Sequence, residues 1–89
     1  MNTAQITKTL VDDAGQYAAC YKLSSPIVDS DLEFTYVFVS AVNNQLVGRE
    51  TMVFGTNNSN ADEVDWTGLV QIKAFDHAAA LADLGYEIV

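Results

Sequence analysis

The chain has one cysteine, one proline, one histidine and only four basic residues among 89. Each scarcity removes a class of chemistry. A lone Cys20 forms no intramolecular disulfide and no paired-cysteine metal or redox site. Set within Tyr17-Ala-Ala-Cys-Tyr21, it is expected to be a buried, inert thiol. A single histidine, His77, leaves a nucleophile little choice of base, and the third group that would orient such a base is not evident nearby. Nothing local links Cys20 to His77, which reads as a half-exposed residue near a helix start. The cations Lys8, Lys22, Arg49 and Lys73 are scattered, so no basic stripe exists to hold a phosphate backbone, and direct nucleic-acid binding is not expected. No apolar run approaches the roughly 18 residues of a membrane span. The first residues have neither a basic nor an apolar segment of the secretory kind, so a cytoplasmic setting is expected.

What is present is acid and hydrocarbon. Twelve acidic residues give a formal net charge of −8, and 49% of residues are hydrophobic. That is ample for one modest core, and the length suits a single domain over 1–89. The charge favours solubility and a partner that is itself basic.

Alternation predicts the elements. Residues 1–13 read as a short edge strand or a loose arm, ended by Asp12-Asp13 and Gly15. Tyr17 to Leu23 alternates as a strand, with Ser24-Ser25-Pro26 expected to stop it. Leu32 to Val42 is apolar on both faces: Leu32, Phe34, Tyr36, Phe38 and Val42 on one, Val37, Val39 and Ala41 on the other. It reads as a central strand covered on both sides, or on one side by a partner. Asn43-Asn44 should turn the chain, Arg49 to Phe54 should return it, and Gly55 to Asp62 reads as a polar loop. Leu69 to Phe75 alternates again. Asp76 to Gly85 predicts a short helix, capped by Asp76 and stopped by Gly85, with Ala78, Leu81, Ala82 and Leu84 as its apolar side. Tyr86 to Val89 should follow as a final strand. The expected class is α+β: a small, mostly antiparallel sheet in the order β-β-β-(β)-α-β, with one short helix packed on it.

Candidate sites are few. The acidic clusters Asp29/Asp31/Glu33 and Asp62/Glu63/Asp65 lie where solvated loops are expected, not where one carboxyl would be held apolar and another polar. Asn58, Asn60 and Asp62 alternate like calcium ligands, without the glycine and closing glutamate such a loop needs. The glycines are isolated, so no phosphate loop is expected. Trp66, in Asp65-Trp-Thr-Gly68, is a large aromatic among polar neighbours; it reads first as a lid over one edge of the core and second as an interface anchor. The sequence therefore nominates Trp66 with Asp62, Glu63 and Asp65 as a protein interface, and no catalytic residue, metal or cofactor.

From Tyr36 onward, Val37-Phe-Val-Ser-Ala41, Glu50-Thr-Met-Val-Phe54, Asp65-Trp66, Asp76-His77 with Ala80-Leu81, and Gly85-Tyr-Glu-Ile-Val89 resemble small accessory proteins of tailed bacteriophages, especially those of actinobacteria. That resemblance spans the last 55 or so residues and brings no activity with it. Taken with the negative charge, the small size and the lack of an active-site pattern, it leads to the expectation of a non-enzymatic viral protein, a monomer or small homo-oligomer, that binds a host protein in the host cytoplasm. The alternatives are a virion component that self-associates and an acidic nucleic-acid mimic that blocks a DNA-binding enzyme.

Overall fold

A computed structural model describes residues 2–11, 16–29, 32–46, 48–56 and 63–89. Six strands form one sheet: β1 Asn2–Val11, β2 Gln16–Asp29, β3 Leu32–Asn44, β4 Gly48–Thr56, β5 Val64–Ile72 and β6 Tyr86–Ile88. Among the described residues one seven-residue helix, α1 His77–Asp83, lies between β5 and β6. The spatial order is β5-β4-β3-β2-β1-β6, antiparallel throughout except that β6 runs parallel to β1. The sheet curls into a half-barrel. The fold is thus mostly β, which corrects the α+β class and the small sheet expected from the sequence.

The correction has local causes. β1 is a ten-residue strand between β2 and β6: β2 pairs along most of its length and β6 along Asn2 to Ala4. Proline does not end β2. Between the pairs Lys22–Tyr36 and Ile27–Phe34, Leu23 to Pro26 face only Thr35, so Pro26 sits in a bulge where no ladder donor is needed. The bulge's polar groups go sideways instead: the Thr3 amide donates to Ser24 Oγ at 2.8 Å, and the Tyr86 hydroxyl donates to the Ser25 carbonyl at 2.6 Å. The β3–β4 turn falls at Gln45 and Leu46, beyond Asn43-Asn44, with Gly48 at φ 73°. β5 begins five residues before Leu69 and bulges opposite Phe54, where Gly68 takes φ 80°. Of the expected Gly55–Asp62 loop, Gly55 and Thr56 belong to β4; Asn58, Asn60 and Asp62 lie outside the described residues, as do Asp31 and the Asp12–Gly15 stop.

One face of the sheet forms the core. Tyr21, Leu23, Val37, Val39, Ala41 and Val53 are buried there, and Tyr86 on β6 and Ala80 and Leu81 on α1 pack against this layer. On β3 the aliphatic row is therefore the buried one, while Phe34, Tyr36 and Phe38 are half-buried on the other side. The helix touches β6 at one edge of the sheet and β4 and β5 towards the other, so it closes the open side of the half-barrel. Seven residues do not make a stable helix in water, so docking holds α1 in shape. Asp76 caps it, accepting from the Ala79 amide at 3.1 Å, and Gly85 ends it at φ 90°.

Candidate functional site

The helix is nearly all alanine on several sides, so its sequence barely specifies which side faces inward. The inward residues are His77, Ala80 and Leu81, while Ala78 and Ala82 are exposed. That rotation carries His77, expected to be half-exposed, into the core at 7% exposure. Its ring stacks on Tyr17 with centroids 4.3 Å apart and meets Tyr21 edge-on at 5.9 Å. Nε2 lies 3.1 Å from the Tyr17 carbonyl and Nδ1 lies 3.0 Å from the Tyr21 hydroxyl. A carbonyl only accepts, so Nε2 carries the hydrogen; in the neutral ring Nδ1 then accepts from the Tyr21 hydroxyl.

Burial pushes the His77 imidazole below its ordinary range, against smaller upward pulls from the Tyr17 carbonyl and the Asp76 carboxylate. Burial likewise pushes the Tyr21 phenol up to about 12, helped by the charge and side-chain hydrogen bond of Tyr17. Both groups are therefore neutral at pH 7. Next to this cluster, Thr51 on β4 is fully buried. Its hydroxyl donates to the Ala74 carbonyl and accepts from the Asp76 amide at 3.0 Å. Thr51, Tyr17 and Tyr21 together fix the N-terminal end of α1 to the sheet. This is a structural use of polar groups, with every recorded bond internal to the fold.

Cys20 alternates with Tyr21 along β2, so it points to the opposite face of the sheet from His77, and it is buried. A Cys20–His77 pair is thereby ruled out. Among the described residues no three His, Cys, Asp or Glu side chains converge as metal ligands, and no helix is long and apolar enough to cross a membrane. No known protein family, characterised protein or solved structure matches the chain.

Of the residues nominated as an interface, Asp65 and Trp66 lie in β5 rather than in a loop. Glu63 is exposed just before β5, where its carbonyl accepts from the Thr56 hydroxyl at 2.7 Å. Asp65 lies half-buried within β5, opposite Gly55. The backbone of Trp66 continues β5, its side chain lies outside the described residues, and so does Asp62. A second surface went unnoticed in the sequence. Ala78 and Ala82 of α1, with Gly85 and Tyr86 to Ile88, line a shallow groove of about 540 Å³ along the β6 edge. Asp83 and Glu87 are exposed beside it. From Ala74 to Val89 the chain contains three acids and no lysine or arginine. That charge pattern was readable; its placement beside a sheet edge was not, because only the parallel β1–β6 pairing creates it.

Proposed function

We propose that this is a non-enzymatic protein that acts by binding another protein, one that presents an extended segment with basic side chains. The observation that carries the reading is the α1–β6 groove: apolar alanines and Ile88 along its length, acids beside it, and a strand that among the described residues has one neighbour. The Val89 amide donates to the Ala4 carbonyl at 3.0 Å, so alternation turns the Ile88 amide outward, available to an added strand. Opposed charge then supplies steering. His77, the only imidazole, is occupied in holding the helix, which supports a role without catalysis. The phage setting and a host-encoded partner rest on the C-terminal sequence pattern alone. A net charge of −8 opposes self-association of the virion kind.

The test is to isolate the partner, then compare affinities. Asp83→Lys/Glu87→Lys should weaken binding at least about tenfold, mainly through slower association, with wild-type affinity falling as salt rises. Charge reversal at Glu63 and Asp65 should matter less. Equal affinity of the Asp83/Glu87 variant would refute the groove. Rings or tubes formed by the purified protein would favour the self-associating reading instead.

A further inference from the structure

We infer that His77 is an acid-sensitive latch for α1: protonation releases the helix from the mouth of the half-barrel while the sheet stays folded. The inference is independent of what the groove binds. It starts from geometry. The helix is seven residues long, holds its shape only while docked, and shields the layer of Tyr21, Val37, Val39 and Val53. Its N-terminal end is held to β2 by the two bonds of one ring, Nε2–H to the Tyr17 carbonyl and the Tyr21 hydroxyl to Nδ1.

A proton arriving from solvent must go to Nδ1, since Nε2 already carries one. Nδ1 then ceases to accept, and the Tyr21 hydroxyl must turn its hydrogen elsewhere and become the acceptor. A cation is left stacked on Tyr17 in a nearly water-free site. The groups facing the ring are Tyr17 and Tyr21 from β2 and Asp76 from the helix's own cap. The Tyr17 carbonyl and, less strongly, the exposed Asp76 carboxylate favour the charge, and burial outweighs both. Released into water, the imidazole regains its ordinary affinity for a proton, near pH 6.5.

The sign follows from linkage. The docked form binds protons more weakly than the released form, so docking is at full strength above about pH 6.5 and weakens as pH falls below it. One proton is involved, so the ratio of docked to released helix drops by up to about tenfold per pH unit, until the docked ring itself titrates. The sheet lacks this dependence, because its strand pairings do not pass through His77. Release is thus a local opening of one short element whose shape depends on docking.

Hydrogen exchange between pH 7.5 and 4.5, corrected for intrinsic rates, tests this together with NMR titration of the imidazole. The chain has one histidine, so its signal is unambiguous. Amides of residues 77–83 should lose protection before those of 17–23 and 37–41. The loss should track the imidazole titration and be accompanied by binding of an apolar dye. His77→Gln, which keeps a neutral donor and acceptor, should abolish the pH dependence. The latch is overturned if helix and sheet amides lose protection together. It is equally overturned if wild-type helix protection falls at a pH unrelated to the imidazole titration, a result readable even if His77→Gln does not fold.

Discussion

Replacing Thr51 by valine keeps a β-branched side chain of nearly the same volume in a fully buried site and removes only the hydroxyl. Two bonds are lost, the one donated to the Ala74 carbonyl and the one accepted from the Asp76 amide. Both partners belong to the segment that leads into α1, and neither has a replacement within the side chain of valine. A buried polar group left without a partner costs about 1–3 kcal/mol. Asp76 is an exposed residue, so water can reach part of this segment, and the lower end of that range applies to each group. The expected cost is about 2 kcal/mol. Native stability for 89 residues is only about 4–13 kcal/mol, and the corresponding fall in melting temperature is about 8–16 °C. Urea unfolding followed by circular dichroism should show a lower midpoint with an unchanged slope, since the surface exposed on unfolding stays the same. Thr51→Ser provides the control: it keeps both bonds, loses one methyl group, and should cost about 1 kcal/mol. If Thr51→Val lies within about 0.5 kcal/mol of wild type, or is the milder of the two substitutions, the hydroxyl does not hold the helix start and the reasoning fails.

Two further expectations concern other parts of the fold. A Cβ at Gly55 would stand 2.5–2.6 Å from ring carbons of Phe34, so Gly55→Ala should cost about 1–3 kcal/mol by forcing that ring aside. The cost should largely vanish in a Phe34→Ala background, and an unchanged cost there would show that the contact is not its source. In alkali, the Tyr21 phenol keeps its proton to about pH 12 in the folded chain and loses it near 10 when unfolded. Stability from this group is therefore complete below pH 10 and is lost as pH rises through 12, a decline of about 2–3 kcal/mol. Tyr21→Phe should remove that part of the alkaline slope; equal slopes in the two proteins would contradict the assignment.

Features set by neighbouring residues were legible in the sequence. The alternation of Tyr17 to Leu23 and Leu32 to Val42 marks two strands. Asp76 and Gly85 bracket the helix, because capping is decided within one turn of chain. Composition gave the acidity and one modest core for the same reason, being a sum over residues. Tertiary structure decided everything that depends on which surface meets which. Asn2 to Val11 carry too weak a pattern to be a strand alone, and form β1 because β2 pairs along them and β6 joins at Asn2 to Ala4. Pro26 stops an isolated strand but not one that can bulge into space beside β1 and β6. Both faces of β3 are apolar, so only the position of α1 selected Val37, Val39 and Ala41 as the inner row. An alanine helix has no strong side of its own. The sheet therefore chose its rotation, and that choice placed His77 against Tyr17 and Tyr21 rather than in solvent.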